Sequence, residues 1–199
     1  MPVMVTDHRK LPRRRGEALN VAIYQATLAE LAEVGYARLT MERVAERAKA
    51  SKASLYRRWP TRIELVMDAV YHVLPDALSV PDTGSLRGDI LAALRRTAEA
   101  LAGPAGEAMR GLLSEALGDE SRAATFRENS QGTGRRLMRE IVRRAVERGE
   151  VAPEDVTPRR LDAGQALLRQ HFLFQGLPIP DELLVQIADE VMVPLFTRS

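Results

Sequence analysis

An all-α fold of about nine helices is predicted from three features of the sequence. Apolar residues recur at three- and four-residue spacing along nearly the whole chain, the period of a helix that buries one face. The two-residue alternation of a strand is absent, and β-branched residues are sparse. Proline, glycine and hydroxyl residues fall between the periodic stretches, where they stop one helix and cap the next.

The first helix is predicted from about Gly16 to Val34. Ile23, Thr27, Leu31 and Val34 form one stripe, Tyr24 and Leu28 widen it, and Gly35 is the stop. Thr40 caps a short second helix, Met41 to Ala48, and Ser51 caps a third, Lys52 to Arg58, which Pro60 ends. Thr61 caps a fourth that reaches about Leu74. The stretch Pro75 to Gly84, rich in Pro, Gly and Asp, is the natural boundary between a domain of residues 13–74 and one of residues 75–199. A fifth helix carries Ile90, Leu94, Thr97 and Leu101 in one stripe. Gly103-Pro104 separates it from a sixth with Met109, Leu112, Leu113 and Leu117. Ser121 caps a seventh that runs to about Gly149, with Leu137, Met138, Ile141 and Ala145 inward and Gly132 and Gly134 loosening it. Thr157-Pro158 opens an eighth, to about Phe174, by placing proline at the first helical position. After the turn Gly176–Pro180 a ninth covers about Asp181 to Phe196.

Composition excludes several kinds of chemistry. A chain of 199 residues, 45% hydrophobic and 28% charged, can bury about 70% of its unfolded surface and needs no covalent staple. Without cysteine it has no disulfide, no thiolate nucleophile and no sulfur-based zinc site. His8, His72 and His171 are the only histidines, too few for a multi-histidine metal centre, and no cofactor is expected. No run approaches 18 apolar residues, so no membrane span is predicted. Met1 to Arg15 lacks the apolar core of a signal peptide, which predicts a cytoplasmic protein. Arginine outnumbers lysine 26 to 3, a mark of genome composition rather than of function. Gly132-Thr133-Gly134 has neither a third glycine nor a preceding strand, and Pro75 interrupts the spacing of His72 and Asp76. No constellation of catalytic residues remains, so a small all-helical enzyme is the weaker alternative.

The net charge of +2 divides unevenly, with +7 on residues 1–62 and −5 on residues 63–199. A basic head on a mildly acidic body is the charge pattern of a nucleic-acid contact confined to one end. Within that head, Thr40 to Trp59 reads as a capped helix, the turn Lys49-Ala50-Ser51 and a second short helix. Neither helix can stand alone. They would pack through Val44, Ala45, Ala48, Leu55 and Trp59 against the first helix, which is the layout of a helix-turn-helix whose second helix enters a DNA major groove. Lys52, Ser54, Tyr56, Arg57 and Arg58 on that second helix are donors, with no acid among them. A helical adaptor without a DNA target would not need such a face. Thr40 and Ser51 sit at helix N-termini, where free N–H groups attract phosphate oxygens. Arg9, Lys10, Arg13, Arg14 and Arg15 form an arm that can follow the backbone or enter the minor groove.

The string Gly35-Tyr36, Leu39-Thr40, Val44-Ala45, Ala48, Ser51-Lys52, Leu55-Tyr56-Arg57-Arg58-Trp59-Pro60 and Leu65 resembles the DNA-binding domain of the TetR family of bacterial repressors, over roughly Arg13 to Leu74. The rest, from Leu86-Arg87-Gly88-Asp89 through Val146–Glu150 to Gly176–Pro180, is similar to one branch of that family's C-terminal domain. The resemblance implies that Thr40, Tyr56 and Arg62 hold phosphates and that Lys52, Ala53, Ser54 and Arg57 lie at base edges, with Arg43 as an extra contact. One position departs from the family: Lys49 stands where glycine is usual, at a turn that favours positive φ.

The ninth helix has two apolar rows, Leu183-Ile187-Val191-Leu195 and Leu184-Ala188-Met192-Phe196. Together they cover more than half its circumference, which predicts a second face buried against another chain. Leu161, Leu168 and Phe172 of the eighth helix, with Leu184, Ala188, Val191, Met192 and Leu195 of the ninth, are the candidate interface of a four-helix homodimer, as the resemblance also implies. Two-fold symmetry would set two reading helices one DNA turn apart on a near-palindromic operator of double-stranded DNA. The resemblance further implies a pocket for a small apolar or amphipathic effector that releases DNA. Met109, Leu113, Phe126, Met138, Leu167, His171 and Phe174 are its candidate lining. Repression is the sign that the resemblance implies, with activation as the alternative.

Overall fold

The computed structural model describes residues 16–74, 80–120, 123–124 and 133–197, and every regular element among them is helical. In chain order these are α1 (Glu17–Arg38), α2 (Met41–Arg47), α3 (Lys52–Tyr56), α4 (Arg62–Val73), α5 (Leu86–Leu101), α6 (Pro104–Leu117), α7 (Thr133–Glu147) and α8 (Pro158–Phe174). A 3₁₀ turn, Pro153–Asp155, precedes α8. Then α9 (Asp181–Gln186) continues through a π-helical stretch, Ile187–Met192, into α10 (Val193–Thr197). The starts follow local chemistry: Thr40, Ser51, Thr61, Ser85 and Thr157 each accept a hydrogen bond from a backbone N–H of the helix they open. At α4 the cap is reciprocal, since Glu64 also accepts from the backbone N–H of Thr61 at 3.0 Å. Among the described residues no helix is long and apolar enough to cross a membrane.

Two apolar cores divide the molecule. The first holds Ile23, Leu31, Val44, Leu55, Trp59, Leu65 and Val70 of the N-terminal helices together with Ala105, Ala108 and Leu112 of α6. The second joins Ile90 and Leu94 of α5, Ile141 and Val142 of α7, Leu161 and Leu168 of α8, and Leu184, Ala188, Met192 and Phe196 of the final helical run. Helix α6 therefore seats on α1 and α4, although it begins at Pro104, well beyond the predicted boundary at residue 75. Small residues make that seat possible. A Cβ on Gly111 would lie 2.4 Å from the Tyr36 ring, so that α1 side chain packs directly on the α6 backbone.

Several predicted details are corrected. Gly35 does take a left-handed conformation (φ 75°), but the chain resumes a helical turn to Arg38 because Tyr36 packs into the first core. The third helix ends at Tyr56 rather than Arg58, and a bond from the Trp59 N–H to the Leu55 carbonyl at 2.8 Å closes it. Of the seventh helix, predicted from Ser121 to Gly149, Thr133–Glu147 is helical, while Ser121 and Gly132 lie outside the described residues.

The larger correction concerns the candidate dimer interface. Leu161, Leu168, Phe172, Leu184, Ala188 and Met192 are buried within their own chain, and Val191 and Leu195 are half-buried. The final helical run lies between α5 and α8, so the row Leu184-Ala188-Met192-Phe196, with Ile187 and Leu183 of the other, finds its partners at home. Gly164 is likewise small for an internal reason, since its missing Cβ would meet the Met192 sulfur at 2.9 Å. What α8 leaves to solvent is a different stripe. Ala166, Leu167, Gln170 and Phe174 are exposed and Ala163 is half-buried, all on one helical face, with Phe174 at 77% exposure.

Candidate nucleic-acid interface

The α2–α3 unit is fixed from below by its apolar residues. Val44 and Leu55 are fully buried and Ala45, Ala48 and Trp59 nearly so, which leaves the opposite side of α3 to solvent. The connecting turn is drawn tight by the Ala50 N–H donating to the Ala45 carbonyl at 2.9 Å and the Lys49 N–H to the Glu46 carbonyl at 3.0 Å. Lys49 itself has φ 53°. A residue with a Cβ pays about 1–2 kcal/mol to sit there, so the turn keeps the geometry that glycine would give and the packing of the two helices absorbs the strain.

Ser51, Lys52, Ala53, Tyr56 and Arg57 are exposed, and Ser54 is half-buried. The Thr40 hydroxyl accepts from the Arg43 N–H at 3.3 Å and the Ser51 hydroxyl from the Ser54 N–H at 3.2 Å, so each hydroxyl proton stays available to a phosphate oxygen. Among the described residues the Arg57 guanidinium forms no hydrogen bond or ion pair, its backbone N–H alone donating, to the Ala53 carbonyl at 3.2 Å, and it is the cation best placed to meet a new partner. Arg58 is committed, donating to the Ser54 carbonyl at 3.0 Å and its hydroxyl at 2.6 Å. Arg14 and Arg15 lie outside the described residues.

The other candidate donors are held by carboxylates that sequence reading missed. One oxygen of Glu42, on α2, takes the Tyr56 hydroxyl at 3.4 Å and faces the Lys52 ammonium at 3.6 Å. A hydrogen bond from its own backbone N–H, and then the Lys52 charge, hold Glu42 below the usual carboxylate range. Arg43 and Arg47 both bond to Glu30 of α1, Arg47 at 2.8 Å, and Arg47 also reaches Glu33. Glu30 is 1% exposed. Burial pushes its carboxyl up, but the hydrogen bonds from Arg43 and Arg47 outweigh burial and leave it below the ordinary value. This clamp sets the angle of α2 on α1. Arg43 is therefore a structural cation first and a candidate DNA contact second. Arg62 donates to Glu115 of α6 at 2.8 Å. Each of these partners lies 10 to 53 residues from its cation in sequence, beyond any helical spacing that reading along the chain could detect.

The candidate effector residues are not brought together. Met109 packs on the first core and Met138 is buried in the second. Leu167 and Phe174 lie on the outside, because the inward face of α8 is taken by Leu161, Leu168 and Phe172. Leu113 and His171 are half-buried, and Phe126 lies outside the described residues.

Comparison with known proteins agrees with this geometry. Residues 23–69 match the family model described as bacterial regulatory proteins, tetR family, and residues 80–191 match the tetracyclin repressor-like C-terminal domain. A DNA-binding transcriptional repressor TetR of Mycobacteroides abscessus is 34% identical over 91% of this chain and 95% of that protein. An uncharacterised HTH-type transcriptional regulator of Mycobacterium tuberculosis is 31% identical over 87% of this chain and 85% of its own length. Among solved structures, the TetR family transcription regulator SCO0332 superposes with a TM-score of 0.75 at 30% identity, covering 88% of this chain and 97% of that one.

Proposed function

Because this chain belongs to the TetR family of bacterial transcriptional regulators, we propose that it acts as a homodimeric repressor that grips a near-palindromic operator through α3 and lets go when a small molecule binds. The family consists of DNA-binding regulators and not enzymes. The observation that carries the reading is the donor face of α3: Ser51, Lys52 and Arg57 exposed over a buried Leu55, with no acid on that helix. Thr40 and Tyr56 would anchor phosphates, while Lys52, Ala53, Ser54 and Arg57 would meet base edges. Residues 13–74 would be the DNA-reading part and residues 75–199 the regulatory part, with α6 as the regulatory helix seated on the reading part.

The dimer is proposed to form through the exposed Ala166, Leu167, Gln170 and Phe174 and the half-buried Ala163 of α8, with the half-buried Val191 and Leu195. An isologous interface of this kind repeats each contact about the two-fold axis. A small apolar or amphipathic effector, seated among α5–α8, would change the spacing of the two reading helices.

Substitution on α3 tests the division of roles. Lys52→Ala is expected to cost about 1–3 kcal/mol of discrimination between the operator and a scrambled duplex. Tyr56→Phe, which removes the phosphate donor and its long bond to Glu42 while keeping the ring, is expected to weaken both duplexes by the same factor. Fluorescence anisotropy with the DNA upstream of the chain's own gene and a scrambled control reads both. A Tyr56→Phe variant that lost discrimination would refute the assignment.

A further inference from the structure

One cluster joins the regulatory helix α6 to a candidate DNA contact. Arg62 is the first residue of α4, Tyr36 lies in the last turn of α1 and Glu115 lies near the end of α6. The Arg62 guanidinium donates to Glu115 Oε2 at 2.8 Å and to the Leu39 carbonyl at 3.4 Å, and it stacks on the Tyr36 ring 4.6 Å from its centre. The Tyr36 hydroxyl donates to the same Glu115 oxygen at 2.5 Å. Burial, and then that hydrogen bond to a carboxylate, push the phenol well above its usual range, so it remains a donor at physiological pH. The side chains of Arg62 and Glu115 are 31% and 21% exposed. The cation is thus at a rim, partly wet, where an outside anion can compete for it. Gly111 abutting the Tyr36 ring fixes how closely α6 approaches, and with it where the Glu115 carboxylate stands.

We infer that Glu115 is a positioning residue that holds Arg62 as its own counter-ion and so withholds it from a DNA phosphate, making the seat of α6 on α1 a setting for DNA affinity. This rests on the reading that α2–α3 binds duplex DNA with Arg62 toward the backbone. A guanidinium has five donors and can bond two anions, but a carboxylate already on it neutralises the charge that a phosphate would seek. Displacing α6 releases Arg62, and moving it back recaptures it. Glu42 holds Lys52 and Tyr56 in a similar way, yet Glu42 belongs to the reading unit itself. Glu115 alone among these acids connects the contact surface to the regulatory part.

The test is a salt titration of binding to duplex DNA, own-upstream and scrambled, with the full-length chain. Glu115→Gln keeps the shape and an acceptor for both donors but removes the charge. It is expected to tighten binding to both duplexes several-fold at low salt and to steepen the slope of log K against log salt by about 0.9 per protomer, one further phosphate neutralised. Glu115→Ala is expected to gain in the same direction, and thermal melting checks that each variant folds. Arg62→Gln is expected to leave the slope close to that of the unsubstituted chain, because Glu115 already holds that charge, and to abolish the gain from Glu115→Gln, so that the double variant matches Arg62→Gln alone. Unchanged or weaker binding by both folded Glu115 variants overturns the inference. So does a double variant that still gains over Arg62→Gln, because Glu115 would then act as diffuse charge. If the unsubstituted chain binds no duplex at any salt concentration, the DNA reading fails and the inference falls with it.

Discussion

Glutamate at both Leu167 and Phe174 is expected to leave the chain monomeric and to weaken operator binding by roughly 10²–10⁴-fold, the gain that linking two binding modules ordinarily supplies. Phe174 is 77% exposed in the single chain, and Leu167, at 39%, still presents part of its side chain to solvent. Burying Phe174 against a partner would contribute about 1.5–3 kcal/mol and Leu167 roughly half that or less, and two-fold symmetry doubles the number of side chains buried. Substitution replaces that burial with four carboxylates in one patch, where each would have to be desolvated beside like charges. Light scattering reads the monomer, and an unchanged melting temperature shows that the fold survives. A dimer that persists would place the interface elsewhere.

Gly111→Val is expected to destabilise the chain by about 3 kcal/mol, near the upper end for overpacked sites. Two effects compete at this position. A Cβ in a helix normally gains about 0.5–1 kcal/mol over glycine. Here it would stand 2.4–2.7 Å from Cδ1, Cγ and Cβ of Tyr36, atoms at the base of a buried ring rather than the end of a flexible chain. Relief requires α6 to move off α1 or Tyr36 to leave the first core, and either outcome outweighs the helix propensity. Valine adds two methyl groups to the clash and lowers the propensity gain. For a chain of this length the melting temperature should fall by roughly 2–4 °C for each kcal/mol, so by roughly 6–12 °C. Gly103→Val is the control, because its Cβ would meet nothing closer than the Ala100 carbonyl oxygen at 3.7 Å, and it should lose much less.

The reading unit was legible in the sequence because its determinants are local. Caps at Thr40, Ser51 and Thr61, the apolar spacing of Val44, Ala45 and Ala48, and the breaker Pro60 all act within a few residues. Even the anomaly at Lys49 was visible as a side chain at a turn that favours positive φ, and the residue does adopt it. The fate of the apolar faces was not legible. Periodicity shows that Leu184, Ala188 and Met192 must be covered, but not by what; α5 and α8 of the same chain cover them. Nor could periodicity assign α6 to the first core, since Ala105, Ala108 and Leu112 would fit either one. The carboxylate partners Glu30, Glu42 and Glu115 were hidden for a related reason. Each reaches its cation across a helix-helix contact that linear spacing does not encode.

The most direct measurement is the affinity of the purified chain for the DNA upstream of its own gene, against a scrambled duplex of equal length and composition, across a range of salt concentrations. At physiological salt the upstream DNA should bind about 10³-fold or more tightly than the scramble, and log K should fall linearly with log salt with the slope of several phosphate contacts per dimer. Equal affinity for the two duplexes would contradict the claim that α3 reads base sequence.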